Sequence, residues 1–159
     1  MITLYLARHG ETDGNVQQWY QGSTDVPINA HGLEQAKHLG EFFSHTHLDA
    51  VYSSTLQRAM ATAECVAAPH GLSVIPDESL KEADFGEWEG HTYEEITTKW
   101  PGELEAVYAS DGTLPARGGE SFCQVRDRIL KGTRDILAKH KDGDSVFIVS
   151  HGAAIRCLL

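Results

Sequence analysis

The chain has 159 residues and little cysteine, and no apolar run in it approaches the roughly 18 residues that a membrane span needs. Its three cysteines, Cys65, Cys123 and Cys157, are odd in number and widely spaced, which excludes a disulfide framework. They predict reduced thiols in a cytoplasmic protein. The first residues lack the pattern of a secretory signal peptide, so neither a membrane nor an exported environment is expected.

Basic residues are also scarce. Lysine and arginine number 13 against 23 aspartates and glutamates, a formal net charge of −10. A nucleic-acid partner usually requires a basic face, so this balance excludes one. An anionic small molecule remains an acceptable partner only if a few cations are concentrated in one cleft, so the position of each arginine matters more than the total.

Several sequence signatures of cofactor and metal sites are missing. The chain has no phosphate-binding P-loop, no GxGxxG after a strand, no GxSxG and no HExxH. Nine histidines invite a metal hypothesis, but His38, His45 and His47 lie near the end of a predicted helix and are expected to face solvent. Neither a metal nor a cofactor is predicted.

Two short apolar runs end in the same way. Residues 2–7 lead into Arg8-His9-Gly10, and residues 145–149 lead into Ser150-His151-Gly152. Buried strands of a parallel sheet are continuous apolar runs, and ligands bind beyond their carboxyl ends. The sequence therefore places two histidines at the mouth of one predicted sheet.

Strand and helix patterns alternate along the chain. Strands are predicted at 2–7, 49–52, 72–75 and 145–149, and helices at 33–43, 56–67, 122–137 and after the capping box of Thr92 and Glu95. Residues 102–119 look like a loop, and residues 91–119 are predicted to form a lid-like insertion. The alternation predicts a single α/β domain over residues 1–159, a three-layer sandwich around a largely parallel sheet.

The last residues form an unusual end. Residues 152–159 make about two helical turns and stop on apolar residues, with no cap and no polar tail. We therefore expect the chain to be a fragment that lacks the C-terminal part of its domain.

Several side chains suit reactions at an anionic group. Neutral imidazole makes His9 a competent nucleophile, and Arg8 beside it suits a phosphate. Ser54 or Thr55 is a natural helix N-cap, which places Arg58 in a first helical turn that attracts anions. Taken singly, His9 also fits a buried structural histidine and Arg58 a solvated helix charge.

Two further groups of charged residues stand out. Glu82, Asp84, Glu87 and Glu89 lie within eight residues, and one of them near Phe85 and Trp88 could be held partly protonated as a general acid. The sequence does not choose among them. A basic cluster is predicted to be the solvated face of a helix, and comprises Arg126, Arg128, Lys131, Arg134, Lys139 and Lys141.

Taken together, six ordered blocks closely resemble the histidine phosphatase superfamily, in its phosphoglycerate-mutase-like branch. The blocks are Leu6–Thr12 with Asn15, Gln21–Pro27, Ser53–Ala59 with Thr62–Glu64, Leu80–Glu82 with Phe85–Gly90, Gly118–Ser121 and Val149–Gly152. They span nearly the whole chain, so the resemblance outweighs the separate structural explanations of His9 and Arg58.

The resemblance implies a role for each site residue. His9 is the nucleophile that becomes phosphohistidine, and Arg8, Arg58 and His151 surround the phosphoryl group, with His151 acting best as an imidazolium. Glu82 protonates the leaving oxygen and then activates water. The residues implied to bind substrate are Asn15, Gln21, Gly22 and Gly152, and no metal ion is implied.

The resemblance also separates candidate functions. Many relatives have Trp where this chain has Gly14, which is expected to loosen that loop and widen the pocket. Mutases carry paired arginines for a second phosphate, whereas residues 91–119 offer only Lys99 and Arg117. We therefore expect a phosphomonoesterase acting on a small phosphorylated metabolite. The alternatives are a cofactor-dependent phosphoglycerate mutase and a non-catalytic phosphate-binding domain, and a homodimer is one assembly to test.

Overall fold

Four parallel strands form the sheet of the protein, and a computed structural model describes all residues from 1 to 159. The strands are β1 (Thr3–Arg8), β2 (Ala50–Ser53), β3 (Val74–Pro76) and β4 (Ser145–Ser150). Their order in the sheet is β1-β4-β2-β3, and every neighbouring pair is parallel. Residues 146–150 of β4 are all buried, whereas β1 lies at an edge and is only half-buried in its middle.

Helices cover both faces of this sheet. They are α1 (Asp13–Val16), α2 (Ala30–Phe43), α3 (Gln57–Ala67), α4 (Tyr93–Lys99), α5 (Glu103–Ala109), α6 (Phe122–Leu137) and α7 (Gly152–Leu158). Short 3-10 turns cover Ala68–His70, Glu78–Leu80 and Gly86–Trp88. The predicted α/β sandwich with a parallel central sheet is confirmed.

The core is divided into two clusters by the sheet. Side chains alternate along β4, so that Phe147 and Val149 pack with α2 and α3, while Val146 and Ile148 pack with helices α4 to α7. A single continuous apolar strand thus supplies side chains to both faces of the sheet, and the helices on each face complete the three layers. Strand β4 is apolar at every central position because both of its faces are covered.

Some boundaries differ from the prediction. Residues 102–119 contain helix α5, because a new helix begins after Gly102, whose φ of 80° redirects the chain. Leu104 and Val107 of this helix are buried in the larger core cluster. The two phenylalanines at the end of α2 differ: the exposed fraction of Phe42 is 76%, whereas Phe43 packs against the smaller core cluster.

Close packing against Ser79 explains why helix α6 has a glycine, Gly132, in its middle. A Cβ atom at this position would lie 1.8 Å from Oγ and 2.4 Å from Cβ of Ser79. The glycine therefore lets the 3-10 turn Glu78–Leu80 lie directly against α6. That turn leads into Glu82, so the contact helps to place a predicted site residue.

No helix in the structure combines the length and apolar character required to cross a membrane. The cysteines are all unpaired and partly buried, and His38, His45 and His47 are exposed, as the sequence predicts.

Candidate active site

The two predicted histidines meet at the carboxyl edge of the sheet. Strands β1 and β4 are neighbours, and their register pairs Arg8 with Ser150. The residues that follow therefore emerge side by side, and the ring centroids of His9 and His151 are 5.1 Å apart. The backbone N–H of His9 continues the ladder by donating to the carbonyl of Ser150 at 3.1 Å.

The environment of His9 selects one tautomer. Its Nδ1 lies 2.7 Å from the carbonyl oxygen of Gly10. A carbonyl only accepts hydrogen bonds, so Nδ1 carries the proton and Nε2 keeps its lone pair. Burial lowers the pKa of His9 to about 4 against the opposing effect of the Gly10 bond, and the charges of Arg58 and Arg8 lower it further. The imidazole is therefore neutral at pH 7, as a nucleophile must be.

His151 lies behind His9 and is fully buried. Its Nε2 is 2.8 Å from the hydroxyl of Ser54, and its Nδ1 is buried without a partner. Burial, together with the charges of Arg58, His9 and Arg8, holds the pKa of His151 well below its usual value. The expected imidazolium is therefore not the form that the unliganded site favours. A bound anion would act in the opposite direction by offsetting these positive charges.

Arg58 is a buried cation at the bottom of the site. Its Nη1 donates to the carbonyl of Thr24 and its Nη2 to the carbonyl of Gly22, both at 2.8 Å. Its Nε is buried and has no partner. The two carbonyl bonds fix the plane of the guanidinium, which a solvated helix charge would not require.

The start of helix α3 differs from the prediction. The N-cap position is Leu56, which has no capping side chain, so Ser54 and Thr55 do not cap the helix. Instead, Asp25 from a distant loop accepts the backbone N–H of Gln57 at 2.8 Å. Ser54 is engaged with His151 instead. Arg58 nevertheless lies in the first turn, as expected.

Among the four clustered acids, Glu89 has a positioning role. Its carboxylate accepts the backbone N–H groups of Ser23 and Thr24 at 2.8 Å and that of Phe85 at 3.0 Å. Gly22, with φ of 51°, is needed here because a Cβ atom would lie 1.9 Å from Oε1 of Glu89. Glu89 thus secures the loop whose carbonyls hold Arg58.

Glu82 is the acid of this cluster that reaches the cavity with His9. Its Oε1 accepts the N–H groups of Ala83 and Ala154 at 2.9 Å, and its Oε2 accepts that of Ala153 at 3.1 Å. This polar setting differs from the apolar one that the nearby aromatic residues predict, because the start of α7 turns its backbone toward the carboxylate. The two remaining acids lie elsewhere: Asp84 accepts the N–H of Gly86, and Glu87 is exposed.

Arg128 corrects the prediction that the basic cluster is solvated. Its guanidinium is half-buried and donates to the carbonyls of Ser79 and Lys81 at 2.9 Å and of Glu82 at 3.2 Å. It also pairs with Glu120 at 2.8 Å. Arg128 therefore holds the segment that carries Glu82. Helical periodicity could not reveal this role, because the acceptors are carbonyls of a distant turn.

Nearly all the predicted site residues line one cavity of about 500 Å³. Those that line it are Arg8, His9, Asn15, Gln21, Gly22, Arg58, Glu82 and Gly152. His151 does not line it and contacts the site from behind His9. A cavity of this size accepts a small metabolite.

Gly14 does not leave the empty space that the missing tryptophan predicts. It is buried, and a Cβ atom on it would lie 2.7 Å from Cδ of Gln21. The side chain of Gln21 fills this space, and its Oε1 accepts the hydroxyl of Thr12 at 2.6 Å. The loop is therefore packed rather than loosened at this point.

Four aromatic side chains, which the sequence did not predict to lie together, form one wall of the cavity. The ring of Tyr20 meets Phe85 edge-on at 5.1 Å, and its hydroxyl lies 3.2 Å from that of Tyr108, whose ring is 5.7 Å from Phe122. They come from four separate segments, so no local pattern could have grouped them. Tyr108 belongs to α5, which brings the predicted lid-like segment to the site.

The two cations considered for a second phosphate lie away from the cavity. Arg117 is ion-paired with Glu103, and Lys99 lies 4.5 Å from the ring centroid of Trp100. Neither lines the cavity. The structure therefore does not bring them to the position that a bisphosphorylated intermediate would require.

Comparison with known proteins shows the family and fold that the chain resembles. A family model described as histidine phosphatase superfamily (branch 1) matches residues 4–159. An uncharacterized phosphatase, PhoE of Bacillus subtilis, is 36% identical over 159 residues, which cover 100% of this chain and 76% of that protein. Phosphoserine phosphatase 1 of Hydrogenobacter thermophilus is 34% identical, covering 99% of this chain and 74% of that protein. The solved structure of Bacillus stearothermophilus YhfR superposes with a TM-score of 0.92 at 37% identity, covering 99% of this chain and 78% of that one.

Proposed function

Because the chain belongs to the histidine phosphatase superfamily, we propose that it hydrolyses phosphate monoesters of small metabolites through a phosphohistidine formed at His9. One observation carries this proposal. The imidazole of His9 is buried, neutral at pH 7 and held by the Gly10 carbonyl, so that Nε2 keeps its lone pair. Nucleophilic catalysis requires this state.

In the first step, Nε2 of His9 attacks phosphorus while the bond to the leaving oxygen breaks. Glu82 donates its proton to that oxygen, so the leaving group departs as an alcohol. Arg8 and Arg58 provide hydrogen bonds and positive charge to the phosphoryl oxygens, where the charge of the transition state is spread. The negative charge of the bound phosphoryl group favours the imidazolium form of His151, which then adds positive charge from behind His9. In the second step, Glu82 accepts a proton from water, which attacks the phosphohistidine and releases phosphate.

The substrate-binding roles of Asn15, Gln21, Gly22 and Gly152 are part of the same proposal, supported by their place in the cavity wall. The positions of Lys99 and Arg117 favour hydrolysis over a mutase reaction, because neither could retain a second phosphate near His9. Since arginines and histidines already provide the required donors, we propose turnover without a metal ion. The unpaired cysteines support a reducing compartment such as the cytoplasm.

The nucleophile is tested with His9→Ala. This variant should lose hydrolysis of p-nitrophenyl phosphate and should no longer trap the acid-labile phosphoenzyme that the unmodified protein forms. His38→Ala, at an exposed histidine, is the matched control and should retain both properties. Near-normal turnover by His9→Ala would refute the assignment.

Two further measurements define the reaction. Activity should persist in the presence of a chelator, and inhibition by the chelator would contradict a metal-independent reaction.

3-Phosphoglycerate should yield free phosphate rather than 2-phosphoglycerate, with or without 2,3-bisphosphoglycerate. Isomerisation in preference to hydrolysis would favour the mutase instead.

A further inference from the structure

Ser54 is a buried residue beside the site that the proposed chemistry does not use. It directly follows β2, His151 directly follows β4, and His9 directly follows β1. Since β4 lies between β1 and β2 in the sheet, His151 lies between His9 and Ser54 at the carboxyl edge. It contacts both, because its ring centroid is 5.1 Å from that of His9 and its Nε2 is 2.8 Å from Oγ of Ser54.

The hydroxyl of Ser54 has one available acceptor. Its Oγ accepts the backbone N–H of Leu56 at 3.3 Å, which occupies one of its two lone pairs. The only acceptor atom within hydrogen-bonding distance of Oγ is Nε2 of His151. Ser54 is fully buried, so its hydroxyl proton has Nε2 as its partner or has none.

The number of unpaired polar groups distinguishes the two neutral tautomers of His151. With the proton on Nδ1, Nε2 accepts from the Ser54 hydroxyl, and the Nδ1–H alone lacks a partner. With the proton on Nε2, this nitrogen donates to Oγ, and both the Ser54 hydroxyl proton and the Nδ1 lone pair lack partners. Unpaired polar groups are unfavourable in a protein interior, so Ser54 favours the proton on Nδ1.

The position of this proton matters for the charge at His9. The two nitrogens of an imidazole point in diverging directions, and Nε2 is directed at Ser54 on the β2 side. Nδ1 is therefore directed away from Ser54, and His9 lies on that other side of the ring. An N–H there presents the positive end of its dipole, whereas a lone pair presents the negative end. Fixed dipoles of the correct sign stabilise the charge that spreads over the phosphoryl oxygens.

We propose that Ser54 is a positioning residue that holds a proton on Nδ1 of His151, so that the ring presents an N–H dipole toward the phosphoryl group at His9. This inference rests on the proposed phosphatase function and adds a residue that acts through His151 without touching substrate. When the bound phosphoryl group favours the imidazolium form, the second proton is added at Nε2. The remaining lone pair of Oγ then accepts from Nε2, so Nδ1 keeps its proton in both forms.

Nitrogen-15 NMR of the histidine rings tests the tautomer directly, because protonated and unprotonated ring nitrogens have different chemical shifts. Burial holds the pKa of His151 well below its usual value, so its ring is neutral at pH 7. The unmodified, unliganded protein should show the proton on Nδ1, and His151→Gln identifies the signals by their loss. Ser54→Ala removes the partner of Nε2 and should shift the population toward the proton on Nε2.

Ser53→Ala is the matched control. Ser53 is the adjacent serine and is equally buried, but its hydroxyl donates to the carbonyl of Ser54 at 2.8 Å. This variant should leave the tautomer of His151 unchanged. The spectrum of the unmodified protein does not depend on any variant, so a proton found on Nε2 there would overturn the inference even if Ser54→Ala failed to fold.

The kinetic effect is measured with p-nitrophenyl phosphate. In Ser54→Ala kcat should fall by about tenfold, a smaller effect than removal of a donor that contacts the reacting oxygens. Ser54→Thr, which keeps the hydroxyl, should keep the proton on Nδ1 and more of the kcat. An unchanged tautomer or kcat in Ser54→Ala, or an equal loss of kcat in Ser53→Ala, would refute the positioning role. Absence of hydrolysis by the unmodified protein would instead refute the phosphatase function, whatever the tautomer.

Discussion

At the scale of single residues, the neutral imidazole of His9 with its free Nε2 depends on one backbone carbonyl and on burial. Gly10 presents that carbonyl, and a Cβ atom at Gly10 would lie 2.3 Å from the carbonyl oxygen of Gly32. Only glycine therefore allows the chain to turn so closely after β1. The backbone N–H of Gly10 donates to Thr62 of α3 at 2.9 Å, which ties the turn after His9 to the same helix that carries Arg58.

Glu89 lies outside the cavity but helps to fix the position of the Arg58 guanidinium inside it. Both of its carboxylate oxygens accept backbone N–H groups of the loop that holds Arg58. In Glu89→Gln one oxygen is replaced by an NH₂ group, which faces an N–H donor and cannot accept its hydrogen bond. We expect the Kd for inorganic phosphate to rise roughly tenfold, since a charged hydrogen bond is lost and Arg58 is less restrained.

Glu87→Gln is the matched control for this measurement, because Glu87 is exposed and lies two residues away. Phosphate inhibition constants, measured with p-nitrophenyl phosphate as substrate, report the effect in both variants. An unchanged constant in Glu89→Gln would show that the loop holds Arg58 without this carboxylate.

At the scale of elements, helix α6 and the turn Glu78–Leu80 form one unit that positions Glu82. Arg128 of α6 donates to one carbonyl inside that turn, that of Ser79, and to the two carbonyls that follow it, those of Lys81 and Glu82. Gly132 of the same helix allows the turn to approach. A helix that is amphipathic by sequence thus also acts as a platform. The unfavourable helix propensity of Gly132 is offset by the contact between α6 and the turn Glu78–Leu80.

Gly132→Ala tests the platform. In an exposed helix, this change would stabilise by about 1 kcal/mol through helix propensity. Here the added methyl collides with Ser79, so we expect a net destabilisation of roughly 1–3 kcal/mol and a lower kcat, because the turn that leads into Glu82 must move. Denaturant midpoints and steady-state kinetics measure the two effects.

Adding Ser79→Gly provides the matched rescue, because it removes both Oγ and Cβ of Ser79 from the collision, and the nearest remaining atom, Cα, lies at 3.7 Å. The double variant should recover much of the kcat that Gly132→Ala loses. Failure of Gly132→Ala to reduce either stability or kcat would rule out the close contact.

At the scale of the whole molecule, the acid sensitivity of the fold follows from the buried site. Burial lowers the pKa of His9 to about 4 and that of His151 well below its usual value, whereas in the unfolded chain both lie near 6.5. Below pH 6.5 the unfolded chain therefore binds protons that the folded protein does not. The free energy of unfolding must fall as the pH falls from 6.5 toward 4.

For His9 alone this loss amounts to roughly 3 kcal/mol by pH 4. Urea midpoints at intervals between pH 7 and pH 4 measure it, and His9→Gln should show a shallower dependence than the unmodified protein. The slope is compared rather than the absolute stability, since the substitution changes the packing. His38→Gln, at an exposed histidine, should keep the original slope. Parallel slopes in all three proteins would show that His9 is not protected from protonation.

The sequence predicted the residues of the candidate site better than the secondary structure of the segments that connect them. The capping box of Thr92 and Glu95 is confirmed, at a place where local pattern decides the structure. Helix α5 was missed because residues around Pro101 and Gly102 have turn character, while burial of Leu104 stabilises a helix after them. The lid-like role of residues 91–119 and a homodimer stay predictions.

The sequence by itself determined which segments end at the candidate active site. The parallel α/β class, the meeting of His9 and His151 and the family of the chain follow from short apolar runs and the polar residues after them. These are local signals, because a buried parallel strand must be apolar and its carboxyl end must face the same edge as its neighbour.

Only the tertiary structure decided which charges act together. It gave the carboxylate of Glu82 its three backbone N–H partners, assigned Glu89 and Arg128 to positioning, and left Arg156 unpaired beside the cavity. The physical reason is that the partners of these groups are backbone N–H and carbonyl groups of distant loops. Every residue carries such groups, so nothing in the sequence marks which of them a charged side chain will meet.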